Sequence, residues 1–134
     1  WNNLAVIYNY YLHNTKDKKY LKKTEEAYLN AIKLREDYFP VAPSNLAFFY
    51  YFNADLGKTE QFVNQQIKIF PNDPYLWSVK ALVEIKLDRR DEALKSAQIA
   101  LHLGRSKQAL KLVNAIKTGE KFDIQEVDVL KNIK

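Results

Sequence analysis

The sequence predicts an all-α fold in which antiparallel helix pairs stack one behind another. The first observation is a 34-residue period: Pro40 and Pro74 are separated by it, as are Ala47 and Ala81, and Ala115 extends the alanine series. Periods of this length are typical of helical repeats, in which neighbouring pairs bury a shared core and leave a curved surface free. The second observation is the scarcity of chain breakers, with 3 Gly and 4 Pro in 134 residues.

Apolar residues at helical spacing predict eight helices joined by short loops. Their expected bounds, in chain order, are about 1–13, a second helix carrying Leu21 to Leu34, then about 44–56, 59–70, 74–87, 90–103, 106–117 and 123–133. A polar stretch, residues 14–19, separates the first two helices and is expected to be an exposed loop.

Stop signals set the expected ends of the middle helices. Pro40 and Pro43 are expected to close the second helix and to prepare the third. Gly57 is placed to end the third helix, and Pro71 to stop the fourth. Each signal rests on a residue that either lacks a backbone N–H or tolerates a left-handed conformation.

Start signals are clearer in the second half of the chain. Asp73 followed by Pro74 predicts a helix start, because an N-cap acceptor precedes a proline whose missing N–H costs nothing there. Ser106 is a second candidate N-cap, and Gly104 and Gly119 are expected to follow helix ends. The sequence from Asp123 has capping-box spacing and predicts the last helix.

Large and small residues recur at fixed positions of the period. The matching residues are Trp1, Leu4, Ala5, Tyr8, Tyr28 and Ala31, then Leu46, Ala47, Tyr50 and Pro71, then Trp77, Ala81, Ala93, Ala97 and Ala100. This pattern resembles the tetratricopeptide repeat family. The resemblance implies a right-handed superhelix of about three and a half repeats, namely 1–39 with an insertion near 14–19, 40–73, 74–107 and a weak or capping repeat 108–134. Trp77 and Tyr50 are then expected to pack between helices.

In that family the first helix of each repeat lines a concave groove. The resemblance implies that the groove is formed by Val6, Asn9, Tyr10, Phe48, Tyr51, Phe52, Tyr75, Ser78, Leu82 and Ile85. The run from Phe48 to Phe52 supplies aromatic rings to every side of one helix, so we expect some of them to reach the groove. The alternative left open is that other parts of the chain cover these rings and make them ordinary core.

No catalytic residue, cofactor site or metal site is predicted, and the chain is expected not to be an enzyme. His13 and His102 are the only histidines, and neither has a second ligand or base at helical spacing. The adjacent acid pairs 25–26 and 91–92 are expected on solvated faces. The absence of Cys excludes disulfides and thiolate ligands.

The predicted function is a protein–protein interaction module whose apolar groove binds a polypeptide segment with apolar anchors. The alternatives are self-association as a homo-oligomer or docking within a larger protein. A third is contact with nucleic acid through lysines of residues 16–23, which we disfavour because the aromatic residues are expected elsewhere. No apolar run reaches the roughly 20 residues that a bilayer requires, so membrane insertion is not expected. The chain starts at Trp1 and lacks Met, so we expect it to be a single domain taken from a longer protein. Its localisation stays open.

Overall fold

The computed structural model describes residues 1–34 and 41–121, and these ranges form α-helices joined by short connections. The helices are α1 Asn2–Thr15, α2 Lys19–Leu34, α3 Val41–Asn53, α4 Leu56–Ile69, α5 Pro74–Lys86, α6 Arg90–Leu103 and α7 Lys107–Thr118. No strand occurs in the described ranges, so the all-α class is confirmed, and the helix packing is consistent with a helical repeat. The eighth helix predicted from Asp123, and the stop at Pro40, lie outside the described residues.

The described chain divides into two compact units between Ala54 and Asp55. This boundary lies inside the predicted second repeat. The first unit contains α1, α2 and α3, and α2 packs against both of the others. The second unit contains α4 to α7, which pack in chain order, each helix against the next. Among the helices described, none is both long and apolar enough to cross a membrane.

The core of the first unit is rich in aromatic and polar side chains. Tyr28 of α2 is fully buried, and its ring centroid lies 6.2 Å from that of Phe49 on α3. Thr24 is also fully buried, where its hydroxyl donates to the carbonyl oxygen of Tyr20 at 2.6 Å. That bond satisfies a polar group that would otherwise be costly to bury.

The core of the second unit follows a pattern of large residues facing small ones. Leu76 and Val79 of α5 are completely buried, and so are three alanines of α6, Ala93, Ala97 and Ala100. Small residues allow two helix axes to approach closely, and the contact between α5 and α6 is the most extensive among the described helix pairs. Close packing of this kind therefore stabilises the second unit.

Tyr50 is buried, as the prediction that it packs between helices requires, but Trp77 is not. Tyr50 is 4% exposed and lies in the core of the first unit. Trp77 is only half buried, and its indole N–H donates to the carbonyl oxygen of Pro71 at 2.8 Å. The hydrogen bond of Trp77 therefore stabilises the turn before α5. Its neighbour Leu76 is the residue that packs into the core.

The start and stop signals of the second unit are confirmed. The Asp73 carboxylate accepts from the backbone N–H of Tyr75 at 2.9 Å, and Pro74 is the first residue of α5. The hydroxyl of Ser106 accepts from the backbone N–H of Ala109 at 3.0 Å, and Gly119 ends α7 in the left-handed region with φ 75°. The two N-cap bonds satisfy backbone N–H groups that a helix start leaves without an intrahelical partner.

Both predicted ends of α3 and the predicted start of α4 are wrong by three residues, whereas the predicted end of α4 is one residue late. Pro43 does not close the preceding section but lies in the first turn of α3, where a missing N–H breaks no helical bond. Gly57 does not end α3 but lies in the first turn of α4. The signal that decides the boundary is Asp55, whose carboxylate accepts from the N–H of Lys58 at 2.7 Å and so starts α4.

The polar connection between α1 and α2 is exposed, as predicted, but it is only three residues long because both helices extend into it. Lys16 adopts a left-handed conformation with φ 58° and donates its N–H to the carbonyl oxygen of Leu12 at 2.9 Å. The Asp17 carboxylate accepts from the N–H of Lys19 at 3.0 Å. These bonds turn the chain back on itself, so α1 and α2 form a tight hairpin.

Candidate interaction surfaces

The groove residues predicted on α1 differ widely in exposure. Tyr10 is 60% exposed, Val6 is half buried, and Asn9 is only 3% exposed. Because successive helical residues point about 100° apart, Tyr10 and its neighbour Tyr11 face different sides of α1. Of the three predicted residues, Tyr10 is the one that presents a large ring to solvent.

The aromatic run of α3 divides into two groups. Phe49 and Tyr50 are buried in the core of the first unit. Phe48, Tyr51 and Phe52 are half buried, and the rings of the last two meet edge to face with centroids 5.1 Å apart. The helix thus uses part of its aromatic surface for folding and leaves part within reach of another molecule.

Polar side chains lie between α1 and α3 in the same unit. Asn45 donates its side-chain N–H to the Asn2 side-chain oxygen at 3.1 Å, which joins the first turns of the two helices. Asn9 follows on α1, and its side-chain oxygen has no hydrogen-bond donor among the described residues. A buried acceptor without a donor carries a desolvation cost, and at 3% exposure Asn9 is closed to a bound group.

The groove residues predicted in the second unit all lie on α5. Tyr75 is 59% exposed, whereas Leu82 is 3% exposed and belongs to the core of this unit. Ser78 and Ile85 are half buried, and the hydroxyl of Ser78 donates to the carbonyl oxygen of Pro74 at 3.0 Å. Of the four predicted groove residues in this unit, only Tyr75 therefore offers a large open surface.

The expectation that lysines and aromatic residues lie apart is wrong. At the hairpin of α1 and α2, the Tyr11 ring stacks on the Tyr20 ring at 5.6 Å, and Tyr8 lies 6.1 Å from Tyr20. The Lys23 ammonium lies 5.6 Å from the Tyr8 centroid, and that of Lys19 lies 5.0 Å from the Tyr20 centroid. We call these five residues the tyrosine–lysine cluster.

Sequence reasoning missed this cluster because it joins residues on two different helices. Tyr8 and Tyr11 are three apart on α1, and Lys19 and Lys23 are four apart on α2, so each pair lies on one helix face. Only the tight hairpin brings the two faces together. The shortness of the polar connection was the available signal, because a short loop predicts that the flanking residues become neighbours.

The acid pair at 25–26 is only partly solvated, contrary to expectation. Glu25 is half buried, and its carboxylate accepts from the Tyr50 hydroxyl at 3.0 Å. Burial raises the pKa of Tyr50, and the hydrogen bond to Glu25 raises it further. The exposed partner Glu26 pairs with Lys22 at 3.8 Å. Asp91 and Glu92 are exposed, as predicted.

A buried acid in the second unit was not anticipated from the sequence. Glu84 is 3% exposed and its carboxylate accepts from the Ser96 hydroxyl at 2.5 Å. Burial raises the pKa of Glu84, opposed by the Ser96 bond and by Lys80, and assisted by Glu92. The available signal was a single acid inside the apolar stretch 81–85. The bond between α5 and α6 gives Glu84 a structural role.

Histidines form no cluster with acids in the part of the chain that the structure describes. His13 and His102 both lie in the last turns of their helices, where a cation is favoured by the helix dipole. His102 also lines a shallow hollow of about 400 Å³, together with Gln98, Leu101, Arg105 and Leu110. Residues 1–34 and 41–121 contain no group of three His, Cys, Asp or Glu able to hold a metal ion.

A comparison of the sequence with protein-family models and with curated proteins finds no match.

Proposed function

We propose that the chain is a non-catalytic interaction module of the tetratricopeptide type, which binds a polypeptide segment through apolar anchors. The observation that carries the proposal is the division of the α3 aromatic run. Phe49 and Tyr50 are sealed in the core, whereas Phe48, Tyr51 and Phe52 keep part of their surface in solvent. A run that served only folding would bury its rings more completely.

The exposed ring of Tyr10 supports the same proposal. A tyrosine that is 60% exposed leaves much of its ring in contact with water. Covering apolar surface gains roughly 25 cal/mol per Å², and large rigid rings are frequent hot spots because they lose little conformational entropy on binding.

None of the proposed anchors in the first unit is charged. Val6, Tyr10, Phe48, Tyr51 and Phe52 therefore bind through burial rather than through ion pairs, and the remaining predicted groove residue, Asn9, is itself buried. Binding should depend weakly on salt, because screening acts mainly on charge–charge interactions. This behaviour distinguishes the proposed groove from a surface that recruits acidic partners.

Selection from a phage-displayed library of random 15-residue peptides tests the proposal. Enriched peptides should share two or more large apolar residues. Phe52→Ala should weaken the best peptide by about 2 kcal/mol, close to 30-fold, with unchanged helicity. Leu110→Ala on α7 is the matched control, because it also truncates a half-exposed apolar side chain and should leave binding unchanged.

Failure has a clear form in this experiment. If no peptide is enriched, or if Phe52→Ala and Leu110→Ala act alike, the proposed groove does not bind polypeptides. If light scattering shows a mass that rises with concentration and Tyr10→Ala abolishes the rise, the rings serve contact between copies of the chain, which is the alternative function.

A further inference from the structure

The basic charge of the chain is concentrated at the hairpin of α1 and α2. Residues 16–23 contain five lysines and one aspartate, a net charge of +4, whereas the whole chain has a net charge of +5. Lys16, Lys18, Lys19, Lys22 and Lys23 are all exposed. Asp17 pairs with Lys19 at 3.2 Å, and Glu26 pairs with Lys22 at 3.8 Å. Lys16, Lys18 and Lys23 have no acidic partner among the described residues.

The same hairpin holds three neighbouring tyrosines, of which Tyr11 and Tyr20 are stacked at an interplanar angle of 25°. Tyr11 is 46% exposed, and the Tyr10 ring meets it edge to face with centroids 6.1 Å apart. A partly exposed ring held by two neighbours is preorganised for stacking, because little motion has to be frozen when another planar group arrives. The Lys23 ammonium, 5.9 Å from the Tyr20 centroid, holds positive charge beside the stack.

We infer that the tyrosine–lysine cluster and the loop lysines Lys16 and Lys18 bind single-stranded nucleic acid. Exposed lysines attract any polyanion, but rings held among the lysines favour one that also carries planar groups. A single strand meets both conditions, because its phosphates pair with ammonium groups and its bases stack on aromatic side chains. A duplex presents its phosphates while its bases remain paired and stacked internally.

This surface adjoins the proposed polypeptide groove on α1. The rings of Tyr10 and Tyr11 are neighbours, with centroids 6.1 Å apart and an interplanar angle of 70°. Tyr11 stacks on Tyr20 and belongs to the cluster, whereas the proposed groove also includes the partly exposed rings of α3. Variants of α3 and of the loop lysines therefore separate the two activities.

Fluorescence anisotropy with a labelled 12-nucleotide oligothymidylate tests the inference. The reference probe is an abasic strand of equal length and charge. The thymidine strand should bind at 50 mM salt at least five-fold more tightly than the abasic strand, because each stacked base contributes about 1–3 kcal/mol. Tyr11→Ala should remove most of that advantage. Ile7→Ala is the matched control, since Ile7 is 49% exposed one turn away and should bind like the wild type.

The lysines are tested by the salt dependence of the same titration. The Lys16→Gln and Lys18→Gln double variant should lower the slope of log K against log salt by about 1.4, since each phosphate contact on a single strand contributes about 0.7. The Lys107→Gln and Lys111→Gln variant removes the same charge from exposed positions on α7. It should leave the slope almost unchanged.

Four results would overturn the inference. They are no binding at 50 mM salt, equal affinity for the two strands, equal effects of the two lysine pairs, and tighter binding to duplex of the same sequence. Tighter binding to phosphatidylserine vesicles, lost in Tyr11→Ala, would assign the surface to a membrane instead. Circular dichroism of each variant confirms that a loss of binding does not reflect unfolding.

Discussion

The hairpin of α1 and α2 and the hairpin of α5 and α6 solve the same packing problem with different chemistry. In α5 and α6, Leu76 and Val79 are buried with alanines such as Ala97, and a buried hydrogen bond from Ser96 to Glu84 also joins the two helices. In α1 and α2 the contact includes stacked tyrosines, and lysines lie over the rings. A hairpin packed mainly through alanine and leucine does not require particular residues on its exposed face. A hairpin packed through tyrosine and lysine exposes aromatic rings and ammonium groups that can contact a ligand. We infer that binding is concentrated in the first unit.

The largest effect expected from this comparison is on stability of the second unit. Leu76→Ala should lower the free energy of unfolding by about 2–5 kcal/mol, because Leu76 is fully buried and the alanines opposite cannot fill the cavity. Urea unfolding monitored by circular dichroism measures it. Leu110→Ala, at a 49% exposed position, should cost far less. A Leu76→Ala cost below 1 kcal/mol would show that the α5–α6 contact is loosely packed.

A second effect tests how tightly the end of α6 is fitted. A Cβ added at Gly104 would lie 2.9 Å from the Pro74 side chain at the start of α5. Gly104→Ala should therefore cost about 1–3 kcal/mol through overpacking. The Pro74→Ala and Gly104→Ala double variant should recover part of the loss, because the proline ring atoms are the obstacle. Additive losses in the double variant would contradict the proposed clash.

The polar core of the first unit predicts a smaller loss. Tyr50→Phe removes the hydroxyl that donates to Glu25, and should cost about 0.5–1.5 kcal/mol. Glu25 is half buried, so water can replace the lost donor and keep the cost low. A double-mutant cycle with Glu25→Gln measures the coupling of the two side chains. A coupling of zero would mean that the bond does not stabilise the folded unit.

The smallest effect is a dependence on pH in the second unit. The folded pKa of Glu84 lies above its ordinary value of 4.5, so the folded state holds a proton that the unfolded state releases. Stability of the wild type is therefore lost as pH rises from about 4.5 through the folded pKa. Glu84→Gln cannot ionise, and its oxygen can still accept from Ser96. The variant should gain stability relative to the wild type across that window, in urea unfolding series at pH 4 to 8.

The pH series also has a matched control. Glu120→Gln removes a carboxylate from an exposed position after α7 and should run parallel to the wild type. If Glu84→Gln is also parallel to the wild type, the burial of Glu84 does not disfavour its charged form. If the variant loses stability as pH rises, the negative charge of Glu84 contributes to folding, and Lys80 is its partner.

Much of the second unit is predictable from sequence because its signals are local. Asp73, Pro74, Ser106 and Gly119 each act on backbone groups within a few residues, so their effect can be assigned without tertiary structure. The bounds of α3 were missed because Pro43 and Gly57 are tolerated in first turns as well as at ends. Whether such a residue begins or ends a helix depends on where the N-cap lies, and here Asp55 starts α4 just before Gly57.

The candidate surfaces were less predictable because exposure depends on neighbours that are distant in sequence. A repeat position indicates which side of a helix a residue occupies, but Asn9 and Leu82 share predicted groove positions and are buried. The tyrosine–lysine cluster depends on a three-residue turn that brings two helix faces together. Residue type and spacing therefore identified candidate rings, while packing determined which of them remain available.

The most direct test of the account follows individual rings by nuclear magnetic resonance while a selected apolar peptide is added to the chain. With ring-labelled Phe and Tyr, signals of Tyr10, Phe48, Tyr51 and Phe52 should shift on binding. Signals of Tyr8 and Tyr20, which pair within the hairpin, should stay in place. If Tyr8 and Tyr20 shift instead, or if the peptide binds without moving Phe48 and Phe52, the aromatic run of α3 is not the polypeptide site and the central proposal is wrong.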